Sequence, residues 1–261
     1  MSATMRVFRY GARNMLRNGW LLGYTLLFLV VTTVLLRLEG GSVRVAASLM
    51  NVVLLVIPLV SVVFGTLYFS SSREFIELLL AQPVGRPALY RGLYFGLALP
   101  LALAFVAGVG LPMAIAGEAR LLAPGAMLLL SGVLLTFVFT SVAFLAGVHF
   151  EDRARGLGFA LLVWAACALL YDGLVMLVVL VFRDYPLETP LLVLMLLNPV
   201  DLARVLMLLT LDAAALMGYT GAVFARYFGT AAGMATAGAA LLVWMVGPFV
   251  AGMRGFAKRD F

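Results

Sequence analysis

Six long apolar runs, separated by short polar breaks, set the pattern of this chain. They lie at about Trp20–Leu36, Ser48–Phe69, Ala88–Ala116, Gly125–His149, Leu157–Phe182 and within Phe228–Met253. A hydrocarbon core about 30 Å thick is crossed by ~20 helical residues. The runs do not alternate with period two, which excludes the strands of a membrane barrel. The pattern therefore predicts an all-α, polytopic membrane protein with six transmembrane helices. Pro58 interrupts the second run, and the apolar residues continue past it, so a kink is expected there and not an end. Gly92 and Gly96 place small residues one turn apart near the start of the third run, a spacing suited to close helix contact.

Three shorter stretches fall outside the spans. Residues 2–18 carry Arg6, Arg9, Arg13 and Arg17 with no acid among them. At 100° per residue these arginines fall within about an 80° arc. That is the pattern of an amphipathic helix at the membrane surface, or of a basic flank to the first span. Residues 70–92 read SSSREFIELLLAQPVGRPALYRG. Ser71 and Glu74 have capping-box spacing, and Phe75, Ile76, Leu79 and Leu80 follow as an apolar stripe. Gln82-Pro83 closes this helix and Arg86-Pro87 opens the next. The stretch is either a charged connector or a docking element. Residues 183–228 are apolar but broken. Asn198 is placed to cap a helix whose first residue is Pro199, and Asp201 and Arg204 are spaced to pair on one face. Leu191–Leu197 is too short to cross. Two short helices are expected here, at the surface or as a re-entrant pair.

Composition agrees with the pattern. Hydrophobic residues make up 64% of the 261 residues and charged residues 11%, against roughly 25% charged in soluble domains. The chain is expected to be a single membrane domain over 1–261, with its first span retained and not cleaved as a signal. The net charge of +6 is no nucleic-acid signature in this setting; its distribution gives orientation. Six crossings place both termini on one side. Of the 18 lysines and arginines, about two thirds fall on that side, so both termini, residues 70–92 and the charged loop 150–156 are expected in the cytoplasm. That orientation favours docking for 70–92. Residues 183–228 then form an extracytoplasmic helical region.

Several chemistries are excluded. The only lysine is Lys258, flanked by Ala257 and Arg259, so there is no P-loop. One cysteine, Cys167, and one histidine, His149, leave no disulfide framework, no zinc cluster and no HExxH. The 13 methionines are scattered and read as apolar filler, not as a copper path. No catalytic residue and no metal site is expected. Asp172, past the middle of the fifth span and beside Tyr171, is the most informative polar residue within a span. It lines a substrate path, meets a donor in a dimer interface, or is a structural acid bonded to a Tyr or Ser on a neighbouring helix.

The layout resembles an ABC-2-type transporter permease of the type V exporter fold. The residues that carry the resemblance are Arg73-Glu74, Glu77-Leu78-Leu79, Pro83, Arg86 and Gly92. Within that family, LLYDGL at 169–174 and LLNPVDLARVL at 196–206 look most like the membrane subunit of the transporter that serves nitrous oxide reductase maturation. A lysine common in the family after the glycine that opens the third span is absent: Gly92 is followed by Leu93 and preceded by Arg91.

The resemblance implies a non-catalytic permease in the bacterial inner membrane, paired with a second copy of itself and with an ABC ATPase dimer that holds ATP and Mg. Helix 71–81 would couple to the ATPase through Glu74, Phe75, Glu77, Leu78, Leu79 and Arg86. Glu151, Asp152 and Arg153 would make a second contact. Asp172 would lie on the translocation path or dimer interface. Asn198, Pro199, Asp201 and Arg204 would belong to a periplasmic region that gates the exit or holds a periplasmic accessory protein. The output would be export, or work on that accessory protein, in service of copper-site assembly. Membrane lipid is the surrounding partner, and no nucleic acid is expected. A secondary carrier or channel, or a membrane scaffold, would explain the spans without ATP.

Overall fold

The computed structural model describes residues 3–16, 19–38, 42–80, 85–117, 122–182, 188–210 and 231–259. Every regular element among them is helical. In order they are α1 (Ala3–Leu16), α2 (Gly19–Leu38), α3 (Ser42–Ser71), α4 (Arg73–Leu80), α5 (Arg86–Ala116) and α6 (Leu122–His149). There follow α7 (Arg153–Ala165), a π-helical turn (Ala166–Leu170), α8 (Tyr171–Val181), α9 (Glu188–Leu196), α10 (Pro199–Thr210) and α11 (Ala231–Lys258). Six helices are long and apolar enough to cross a membrane: α2, α3, α5, α6, the continuous run Arg153–Val181, and α11. Helix α3 passes through Pro58 without ending. The expected turn at Gln82-Pro83 lies outside the described residues.

Helix α6 is the hub and packs on α3, α5, α7, α10 and α11. It presents small residues where neighbours press closest. A Cβ on Gly132 would lie 2.4 Å from the Phe105 ring of α5, so only glycine lets that ring lie against α6. In the most apolar window of α6, 67% of the residues are buried, against none in the corresponding window of Arg153–Val181, a run in which Gly156 and Ala160 are the buried residues. The bundle therefore has a packed centre and one outer span that leaves its apolar surface open. Phe69, Tyr90, Phe144 and Phe256 join α3, α5, α6 and α11 through edge and tilted ring contacts, with Tyr90 5.7 Å from Phe144 and 5.6 Å from Phe256. Hereafter this end of the bundle is called the α4 end.

Helix α1 is packed on protein and not held by lipid alone. Its Val7 meets Gly92 and its Gly11 meets Gly96; a Cβ on Gly92 would lie 2.7 Å from the Val7 side chain, and one on Gly96 3.4 Å from Gly11 Cα. Matching four-residue steps on both helices mean that α1 runs along the start of α5. Arg6, Arg9 and Arg13 stay exposed on its other side.

Helices α9 and α10 meet at an elbow bent by 106°. A bend past a right angle turns the chain back instead of carrying it across. Asn198 at the elbow donates from Nδ2 to the Cys167 carbonyl (2.9 Å), and Cys167 is the central residue of the run Arg153–Val181. Trp244, near the middle of α11, donates from Nε1 to the Leu196 carbonyl (3.0 Å). The elbow thus reaches the middle of the bundle, as a re-entrant pair and not as surface helices. The physical reason is that α10 is apolar nearly all round: Val200, Leu202, Ala203, Val205, Leu206 and Met207 are all buried, and such a helix is stable only when enclosed.

Candidate functional site at the α4 end and the mid-bundle ion network

Helix α4 divides cleanly into two faces. Glu74, Glu77 and Leu78 are exposed, and Ile76 is fully buried. At 100° per residue the three exposed side chains share about a 100° arc. Phe75, half-buried on the other side, stacks on Tyr10 of α1 with centroids 4.9 Å apart and planes 16° apart. Leu79 packs at the edge of the same core. Arg73 reaches across to the end of α6, where Nη2 donates to the carbonyls of Phe150 (2.6 Å) and Gly147 (3.5 Å). A guanidinium on the last free carbonyls of a helix satisfies acceptors that have no intrahelical partner and meets the negative end of the dipole. Burial, then the nearby positive charge of Arg259, lowers the Arg73 pKa from its ordinary value, and Glu151 and Glu77 oppose that shift.

The capping box expected from Ser71 and Glu74 is not made. Ser71 is the last residue of α3, so the pivot falls one residue later. Ser72 Oγ donates back to the Tyr68 carbonyl (2.8 Å), and its own carbonyl accepts from Ile76 N–H (2.8 Å). The joint between α3 and α4 is thus hydrogen-bonded on both sides of Ser72.

The segment expected as a loop over 150–156 is shorter. Asp152 caps α7 by accepting from Ala154 N–H (2.8 Å), and Arg153 is already helical. Glu151, Asp152 and Arg153 are all exposed. Because Arg73 holds the Phe150 carbonyl, this corner is tied directly to α4. Sequence reasoning missed a further participant, the C-terminal segment. Arg259 Nη1 donates to the Val148 and Gly147 carbonyls, and Nη2 lies 3.5 Å from Glu151 Oε1. Arg86 is turned toward the same segment, with Nη1 donating to the carbonyls of Ala257 (3.0 Å) and Arg259 (2.7 Å). Arg73 and Arg259, far apart in sequence, therefore share the end of α6. A basic residue reads only as a charged flank until its acceptor is known, so nothing in the sequence signalled this.

A second polar cluster lies at and above the elbow. Asp172 is paired with neither a tyrosine nor a serine: its Oδ1 accepts from Arg204 Nη1 of α10 at 2.8 Å. The same Nη1 lies 3.1 Å from Asp201 Oδ1 as an ion pair, without hydrogen-bond alignment. Asp201 Oδ2 accepts from Asn198 Nδ2 (3.0 Å), and Asn198 Oδ1 accepts from Val200 N–H (3.1 Å), capping α10 with Pro199 first in the helix. Tyr171 donates to the Leu194 carbonyl (2.6 Å). The structure thus brings Asp172 together with Asn198, Asp201 and Arg204 across 32 residues of chain. It does not bring this cluster to the α4 end. Among the described residues no group of three or more His, Cys, Asp or Glu side chains is placed to hold a metal ion.

A bundle of six apolar spanning helices with a re-entrant pair and a polar, structured end defines a multi-pass membrane protein. Comparison with known sequences narrows this. The chain is 32% identical over 222 residues to the protein named "Probable ABC transporter permease protein NosY" of Pseudomonas aeruginosa, covering 78% of this chain and 80% of that relative. It is 29% identical over 229 residues to the protein of the same name from Stutzerimonas stutzeri, covering 79% and 81%. The chain belongs to the ABC transporter permeases, and it is similar to these two proteins named NosY. No protein-family model matches it.

Proposed function

We propose that this chain is the non-catalytic membrane subunit of an ATP-driven transporter, with the α4 end in the cytoplasm as the docking face for a separate ATPase dimer. The observation that carries the reading is the division of α4. Its acids Glu74 and Glu77 point outward with Leu78, while Ile76, Phe75 and Arg73 fasten its other face to the bundle, to α1 and to the end of α6. A helix held this way passes a push to three elements at once. The exposed corner Glu151, Asp152 and Arg153 supplies the second contact, and Arg86 steadies the start of α5. ATP and Mg reside in the ATPase. The excess of Lys and Arg on this side supports the orientation, and a bacterial inner membrane is the matching location.

The span left unburied in the single chain, Arg153–Val181, favours a second copy against it. In that dimer Asp172, together with Asn198, Pro199, Asp201 and Arg204 at the mid-bundle elbow, lies near the shared path, and the end of the bundle opposite α4 faces the periplasm and an accessory protein there. The resemblance of residues 169–174 and 196–206 to the membrane subunit that serves nitrous oxide reductase maturation supports a role in copper-site assembly, by export or by work on that accessory protein. The test is charge reversal on α4. Glu74→Lys with Glu77→Lys, co-expressed with the partner ATPase, should abolish co-purification while the chain still inserts and folds. Undiminished co-purification and full transport function would overturn the reading.

A further inference from the structure

We infer that the groove between α5, α6 and α11 is a binding site for an anionic phospholipid. Its acyl chain would lie in the groove, and its phosphate against Arg91 and Arg254. The groove is a cavity of about 490 Å³ walled by Tyr94 and Phe95 of α5, Phe137 of α6, and Val246, Phe249 and Val250 of α11. That volume is within the range of small-molecule sites, about 300–1,000 Å³, and its walls offer an occupant only apolar surface. Tyr94 spends its hydroxyl on the Phe137 carbonyl (2.9 Å). Such walls suit a hydrocarbon chain and nothing polar.

Charge decides which lipid. Helix α5 begins at the α4 end and α11 finishes there, so residues before Phe95 and after Val250 approach the same mouth of the groove. Arg91 precedes Phe95 by four residues, and Arg254 follows Val250 by four, which sets each one turn beyond a wall residue and about 40° from it around its helix, at the rim of the groove. Ring contacts set the register of the two helices, with Tyr94 beside Phe249 at 4.7 Å and Tyr90 beside Phe256 at 5.6 Å. Arg91 and Arg254 therefore sit at nearly the same depth, less than one helical turn apart. Both are exposed. Arg91 Nε donates to the Pro87 carbonyl of its own helix (3.1 Å), which points the side chain along α5 and leaves the terminal nitrogens for a ligand. Neither arginine pairs with a carboxylate among the described residues. Two guanidinium groups at the mouth of an apolar groove between spanning helices match a phosphate joined to an acyl chain, and basic pockets of this kind hold anionic headgroups. The inference does not depend on the ATPase reading.

The test is native mass spectrometry of the purified full-length chain, titrated in detergent with phosphatidylglycerol or with phosphatidylcholine of the same acyl length. Phosphatidylglycerol should be retained in preference. Arg91→Ala with Arg254→Ala should lose roughly tenfold in its retention and leave phosphatidylcholine unchanged, and Arg91→Lys with Arg254→Lys should restore most of the loss. Val250→Trp, which fills the groove, should lower retention of both lipids. Equal retention of phosphatidylglycerol by the double-alanine variant and the parent would overturn the site. So would full competition by inorganic phosphate, which would mark a headgroup contact without a chain site. Efficient disulfide dimers of Val246→Cys in a Cys167→Ala background would also overturn it, by showing a second copy in the groove.

Discussion

Replacement of Arg204 by methionine should destabilise the re-entrant pair far more than replacement of Asp172 by asparagine. The two ends of this ion network differ in burial: the side chain of Asp201 is 8% exposed, that of Arg204 23% and that of Asp172 53%. Removing Arg204 leaves Asp201 enclosed with only the Asn198 amide as a partner. Stripping one partner from a buried pair costs roughly 3–5 kcal/mol, and the partial exposure of Arg204 puts the expected loss at the lower end, about 3 kcal/mol. Asp172→Asn keeps an acceptor for the Arg204 Nη1 and leaves Arg204 its counter-charge on Asp201, so about 1 kcal/mol or less is expected. Adding Asp201→Asn to Arg204→Met should recover part of the loss, because the stranded charge goes with it. The readout is detergent or thermal unfolding followed by tryptophan emission. Two of the 3 tryptophans report on this region: Trp244 bonds the Leu196 carbonyl beside the elbow, and Trp164 of the adjoining span bonds the Leu55 carbonyl. Arg204→Met within 1 kcal/mol of the parent, or Asp172→Asn equal to it in cost, would refute the reasoning.

Two further outcomes follow from local geometry. Gly92→Leu should lift α1 from α5, since even a Cβ there would lie 2.7 Å from the Val7 side chain and 3.1 Å from the Thr4 carbonyl; faster proteolysis within residues 3–16 is the measurement, and unchanged protection would show that α1 is held elsewhere. Asp152→Ala should cost about 1 kcal/mol by removing the cap on Ala154 N–H, whereas Asp152→Ser should retain most of it. Equal unfolding midpoints for the two variants would sink the cap assignment.

Much of the frame is legible in the residues because membrane solvent imposes a simple rule. With no water to satisfy the backbone, an apolar run of the right length has to become a helix, and the six runs did so within a few residues of their expected bounds. The Asn198-Pro199 start of α10 is legible for an equally local reason, since cap and first turn are neighbours in sequence. Capping geometry at Ser71 was not, although its spacing was right. There α3 continued one residue further, and Ser72 Oγ found the Tyr68 carbonyl of the preceding turn. Competing acceptors one residue apart are indistinguishable in sequence. The grouping of Asp172 with Arg204 lay equally out of reach, because either acid or base would suit several partners until the elbow brings α10 to the unburied span.

The sequence by itself determined that this chain is a helical membrane protein, which six runs form helices long and apolar enough to cross, where the charged breaks fall, and which face of α4 carries acid. These follow from hydropathy, helical period and backbone satisfaction, which act over a few residues at a time. Only the tertiary structure decided that α1 lies along α5 through Gly92 and Gly96, that Arg73 and Arg259 share the end of α6, and that α10 folds back to the middle of the bundle to hold Asp172. Each of these depends on which surfaces fit closely enough to exclude lipid. Close fit is a property of paired helices, and no single run of residues contains it.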